Sequence, residues 1–86
     1  MNINKEFIKR QIGDDTILVP IGTTVYEYNG LFALNELGGF LWDLLPEAEN
    51  EDALVAAVLR EYDVDEATAR QDIAEFLDKL RQMNIL

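Results

Sequence analysis

The sequence contains no cysteine, no histidine and no serine. Without cysteine there is neither a disulfide nor a thiolate zinc site. Without histidine the commonest general base and the commonest metal ligand are both missing. The hydroxyl nucleophiles reduce to Thr16, Thr23, Thr24 and Thr68, with no imidazole to activate them. Positive charge is scarce as well: seven Lys and Arg stand against 17 Asp and Glu, a net charge of −10. Lys5, Lys9, Arg10, Arg60, Arg70, Lys79 and Arg81 are dispersed and form no stripe, so a phosphate backbone is repelled rather than tracked, and no nucleic-acid partner is expected. No apolar run approaches the length of a membrane span, so no membrane partner is expected. The first residues, MNINKEFIKRQ, lack the apolar core of a signal peptide, which predicts a cytoplasmic protein.

The acidic residues that are abundant fall where structure uses them. Asp14-Asp15 follows Gly13 in a turn, and Glu51-Asp52 opens a helix, where carboxylates suit the positive end of the dipole. Asp63-Val64-Asp65-Glu66 begins like a calcium loop, but the position that demands glycine is Thr68. Gly38-Gly39 leads into Phe40, Leu41 and Trp42, with no Lys, Ser or Thr to hold a phosphate. The residues therefore predict neither catalysis, nor a metal, nor a cofactor.

What the chain does have is apolar pattern. At 86 residues and 49% hydrophobic it is sized for one domain with one modest core, residues 1–5 being expected to lie loose. Phe7–Ile12 and Thr16–Val19 read as strands around a Gly13-Asp14-Asp15 turn, and Pro20 marks a strand end or an edge. Thr24–Tyr28 is β-branched and aromatic, and Asn29-Gly30 suits a type I′ turn, so a second hairpin with Leu31–Leu34 is expected. Asn35 then caps a helix with an apolar stripe of Leu37, Phe40, Leu41, Leu44 and Leu45, closed by Pro46. Asn50 caps a second helix over 51–62, and Asp65 a third over 66–83. The third carries the stripe Ala69, Ile73, Phe76, Leu77, Leu80 and Met83. The predicted fold class is α+β: an N-terminal antiparallel β-meander of three or four short strands followed by three α-helices, winged-helix-like. Two glycines inside the first helix weaken it by about 1 kcal/mol each relative to alanine, which implies close packing there.

Leu31–Leu34 carries no charge. Such a strand is either core or an open edge onto which a partner's strand can be added. Composition favours core. A winged-helix-like nucleic-acid-binding domain, and a purely structural domain that forms a homodimer through this edge, are the alternative readings.

The order GDDTILVPIG, YNGLFALNELGGFLWDLL, an acidic loop, then LVAAVLREYDVDEATARQDIAEFLDKL resembles the PqqD-like family, whose members are also described as RiPP recognition elements. The resemblance runs from about Phe7 to Leu86. It rests on Leu34-Asn35, the run Phe40–Leu45, Glu61-Tyr62-Asp63, and the spacing from Asp72 to Leu80. The broader family is a nearer match than its members proper to PQQ biosynthesis. The resemblance implies a non-catalytic peptide-binding chaperone. Such a protein captures the leader segment of a ribosomally made precursor peptide by β-strand addition, and it presents that leader to a modifying enzyme, often of the radical SAM type. It implies that the backbone of Leu31, Phe32 and Ala33, continuing to Leu34, pairs with the leader. Ile73, Leu77 and Arg70 of the last helix would then meet the leader's side chains, with Val25 and Tyr28 at the rim. Four or five backbone hydrogen bonds and two apolar anchors, less the ordering of the leader, correspond to about −8 kcal/mol, or micromolar binding. On that reading a proline at Phe32 removes a donor from the docking edge.

Overall fold

A computed structural model describes residues 1–28 and 32–86. The expected turn at Asn29-Gly30 and the first residue of the expected edge, Leu31, lie outside the described residues. Strand β1 (Phe7–Ile12) and strand β2 (Asp15–Pro20) form an antiparallel hairpin closed by Gly13 and Asp14. Gly13 has φ 61°, and Asp14 stays in the negative-φ region. Positive φ at the first of two loop residues is where a II′ turn takes glycine. Strand β3 (Phe32–Leu34) pairs antiparallel with β2, giving a sheet of order β1-β2-β3. Helices α1 (Glu36–Leu44), α2 (Glu51–Glu61) and α3 (Glu66–Gln82) follow.

Residues 24–28 do not form the expected strand. Gly22–Tyr26 is a 3₁₀ helix, entered through Gly22 at φ 60°. Two i to i+3 backbone bonds and one long-range bond to the Thr24 side chain replace the ladder here. The Glu6 N–H donates to the Thr24 hydroxyl at 2.9 Å, Thr24 N–H donates to the Ile21 carbonyl, and Glu27 N–H donates to the Thr24 carbonyl. Thr24 is buried in consequence, while Val25 and Tyr26 point outward. β-branched composition describes a half-buried pleated surface, and these residues found a different burial. With that segment coiled, β3 pairs with β2.

The three helix starts follow the sequence. The side chains of Asn35, Asn50 and Asp65 accept from the N–H groups of Gly38, Ala53 and Thr68 at 2.7, 2.9 and 3.2 Å. Hydrogen bonds from the Thr68 side chain and backbone hold the Asp65 carboxyl below its ordinary range. Helix α3 ends in a Schellman arrangement. Asn84 takes φ 60°, Ile85 N–H donates to the Leu80 carbonyl and Asn84 N–H to that of Arg81. This turns Ile85 into the core and leaves its carbonyl to accept from Asn4 N–H at 2.7 Å. Residues 1–5, expected loose, are held by that bond, by packing of Met1 and Ile3 on the core, and by the Lys5–Glu27 ion pair.

The core lies between the sheet and the helices, with Leu18, Leu41, Leu45, Leu54, Val58, Ile73, Leu77 and Ile85 fully buried. Trp42 is buried as well, edge-on to Phe7 at 6.0 Å. The paired glycines let the first turn of α1 lie on the sheet. A Cβ at Gly38 would meet the Asn35 cap oxygen at 3.1 Å and the Leu34 side chain at 3.5 Å, whereas one at Gly39 would meet Thr16 Cγ2 at 3.4 Å. Gly39→Ala should therefore gain most of the helix propensity difference, about 1 kcal/mol. Gly38→Ala should lose that gain to the cap, worth about 1 kcal/mol. Urea unfolding of the two variants is expected to place Gly38→Ala below Gly39→Ala by about that amount.

Candidate functional site: an open strand edge facing the last helix

Hydrogen-bond direction alternates along an antiparallel strand, so one closed pair fixes all the others. The two-residue loop makes Ile12 and Asp15 a hydrogen-bonded pair, and at the far end Ile21 N–H donates to the Glu6 carbonyl at 3.0 Å. Asp15, Ile17 and Val19 therefore address β1. Thr16 and Leu18 address β3, where they face Leu34 and Phe32. Ala33, opposite Ile17, is left with its N–H and C=O aimed away from the sheet. Among the described residues nothing pairs with them, and Ala33 is exposed. Beyond it, the Asn35 carbonyl is occupied by Gly39 N–H at 3.0 Å.

This edge borders a groove of about 660 Å³. Phe32, Ala33, Leu34, Leu37 and Gly38 line one wall, and Asp72, Glu75, Phe76, Lys79, Leu80 and Met83 of α3 line the other. On α3 the sequence separates two neighbouring lines. Ala69, Ile73, Leu77 and Leu80 face the core. Asp72, Phe76, Lys79 and Met83, at i, i+4, i+7 and i+11, face the groove. Phe32 and Leu34 share the core-side face of the sheet with Leu18, and both are half-buried, as is Phe76.

A cluster of aromatic rings packs behind Phe32. Tyr28 packs edge-on against Phe32 at 5.6 Å and against Phe7 at 5.3 Å, and Phe7 packs against Phe32 at 5.7 Å. The Tyr28 hydroxyl donates to the Met83 carbonyl, so the ring packed on Phe32 is tied to the end of α3.

The expected site residues separate accordingly. Phe32, Ala33 and Leu34 lie at the groove, with Tyr28 behind Phe32 and Met83. Ile73 and Leu77 are fully buried and present no surface to a ligand, because they sit on the core line of α3 rather than the groove line. Arg70 joins α3 to α2 instead, donating to Asp52 at 2.9 Å and to Glu66 at 3.1 Å. The Asp52 hydrogen bond, then that of Glu66, holds its guanidinium above the ordinary value. Val25 is half exposed on the 3₁₀ helix and does not line the groove. The sequence reading missed Asp72, Glu75, Lys79 and Leu37. On α3 the stripe is broader than one core line needs: Phe76 and Met83, seven apart, form a second line beside that of Ile73 and Leu77.

Among the described residues no helix is long and apolar enough to cross a membrane, and no three carboxylates gather to hold a metal ion. Residues 15–86 match the model of the family described as coenzyme PQQ synthesis protein D (PqqD). No curated protein matches the chain. Among solved structures it is similar to that of TbiB1 in complex with the TbiA(beta) leader peptide, at 29% identity and a TM-score of 0.74, covering 100% of this chain and 94% of that one.

The hydroxyl bond across the groove end gives a direct check. Tyr28→Phe keeps the ring packing and deletes the bond to Met83, and urea unfolding should register a loss of about 0.5–1.5 kcal/mol. An unchanged midpoint would remove this bond from the account of how α3 is held.

Proposed function

Since the chain belongs to the family of coenzyme PQQ synthesis protein D (PqqD), we propose that it is a RiPP recognition element. It acts as a non-catalytic protein that binds the leader segment of a ribosomally made precursor peptide and presents it to a modifying enzyme, of the radical SAM type that the family resemblance implies. Similarity to a protein seen with a leader peptide supports the peptide as ligand. The single observation that carries the binding mode is the outward N–H and C=O of Ala33 beside an apolar-floored groove.

The leader enters as a fourth strand next to β3. The sheet is antiparallel throughout, and an antiparallel addition continues it. A leader residue opposite Ala33 exchanges two backbone hydrogen bonds with it, worth about 0.5–1.5 kcal/mol each. Its two neighbours in sequence turn towards the groove, because side chains alternate across a strand. They come to lie beside Phe32 and Leu34, facing Phe76, Leu80 and Met83. Since described residues supply two ladder bonds rather than four or five, burial of those two anchors carries most of the affinity, at about 25 cal/mol per Å² of apolar surface. Presentation follows from the geometry of addition: the leader is held extended at the edge of the molecule, and the rest of the precursor is free to reach an enzyme.

The alternation of the ladder also selects the informative variant. A proline at Phe32 breaks the internal pairing with Leu18 and damages the fold. Proline at Ala33 deletes only the outward donor. A fluorescein-labelled synthetic leader, taken from a precursor reading frame next to this gene, should bind the native protein at micromolar concentration or tighter by anisotropy. Ala33→Pro should weaken it at least about tenfold with the thermal midpoint nearly unchanged. Equal binding by a folded Ala33→Pro protein contradicts strand addition at this edge.

A further inference from the structure

We propose that two copies of the chain pair through β1, antiparallel across a two-fold axis at Ile8, into one six-stranded sheet. The order β1-β2-β3 leaves the sheet a second edge, along β1. Ile8 to Ile12 are all exposed there. The parity that joins Ile12 to Asp15 and Glu6 to Ile21 turns the backbone of Glu6, Ile8, Arg10 and Ile12 towards β2. Phe7, Lys9 and Gln11 are left with N–H and C=O aimed outward. Among the described residues no other backbone group bonds to them. This edge therefore offers three such residues, where the described part of β3 offers Ala33.

An edge strand is commonly blunted by a lysine held out in solvent. Here Lys5 and Lys9 are drawn back onto the protein's own carboxylates, Glu27 and Asp43. Lys9, opposite the buried Leu18, lies on the helix side of the sheet. Glu6, Ile8, Arg10 and Ile12 share the other side, because side chains alternate along a strand. Among the described residues Glu6 and Arg10 form no ion pair, and both are exposed.

One register suits these charges. Outward groups must meet outward groups, so the axis passes at a residue, and Ile8, Lys9 and Arg10 are the central choices. An axis at Lys9 gains one further bonded pair. It also sets Lys9 directly against Lys9 of the partner subunit and leaves Glu6 and Arg10 opposite isoleucines. An axis at Arg10 sets two arginines face to face, and like charges directly opposite are destabilising. An axis at Ile8 sets the two Ile8 side chains against each other, a β-branched apolar pair. It also sets Glu6 against the partner's Arg10, and symmetry makes that pair twice. Phe7 exchanges two backbone hydrogen bonds with Lys9 of the partner subunit, and symmetry repeats these too. The β3 edges stay open at the two ends of the joined sheet, so self-association and leader binding do not compete.

The test is sedimentation equilibrium of the full chain across the micromolar to millimolar range, at about 0.15 M salt so that overall repulsion is screened beyond about 8 Å. Thermal midpoints of all variants are measured first. The native protein should dimerise reversibly. Glu6→Arg and Arg10→Glu each turn two attractive pairs into two repulsive ones and should each weaken the dimer at least about tenfold. Glu6→Arg also makes the chain less acidic, so relief of overall repulsion alone would strengthen its dimer. Mixed in equal amounts, the two variants place an arginine against a glutamate at both positions, and dimers should return to within about threefold of native affinity. Lys9→Pro, which deletes an outward donor, should abolish the dimer, whereas Lys9→Ala keeps that donor and the dimer. Ala33→Pro, at the opposite edge, should leave it unchanged. A native protein that stays monomeric throughout the range overturns the proposal. So does a dimer that either charge variant leaves intact, or a mixture of the two that remains monomeric. Loss of the dimer in Ala33→Pro alone would place the pairing at β3 and overturn it as well.

Discussion

The site depends on one constraint, the parity of hydrogen bonding in a three-stranded sheet. A two-residue loop at Gly13-Asp14 closes Ile12 on Asp15, and from there each residue's backbone is committed to one side. The same parity puts Phe32 and Leu34 on the face of the sheet that looks towards α3. The registers of the two ladders thus determine both which backbone groups are free and which side chains floor the groove beside them.

Around that sheet the remaining contacts join the elements that border the groove. The Phe7, Tyr28, Phe32 and Trp42 rings pack edge to face, and the Tyr28 hydroxyl carries the arrangement across to the end of α3. The Schellman turn after α3 buries Ile85, which in turn accepts from the N-terminal segment at Asn4. At the other end, Gly38 lets α1 begin directly after β3 with Asn35 as its cap. The glycine pair, unaccounted for by helix propensity, is explained by this close seat of the helix on Leu34 and Thr16.

Much of this was legible in the sequence because it is local. Asn35, Asn50 and Asp65 cap the helices they precede, and the Gly13 hairpin has its expected strands. The failures are non-local. Thr24 reads as a strand residue until Glu6, 18 positions earlier, donates a hydrogen bond to its side chain. Ile73 and Leu77 share a stripe with Phe76 and Met83, and no periodicity says which half of a broad stripe meets the core and which a groove. Phe32 and Ala33 look equivalent as edge residues until the register of β2 separates them. The strand and the helix that the family resemblance named lie on either side of one groove, and which face of each element meets it had to come from the fold.

Amide hydrogen exchange at Ala33 tests the central claim most directly. In the free protein the Ala33 amide should exchange much faster than those of Phe32 and Leu34, which the parity assigns to bonds with β2. Saturation with the synthetic leader should slow exchange at Ala33 towards theirs. A protected Ala33 amide in the free protein, or one whose exchange is unaltered by bound peptide, would contradict the account.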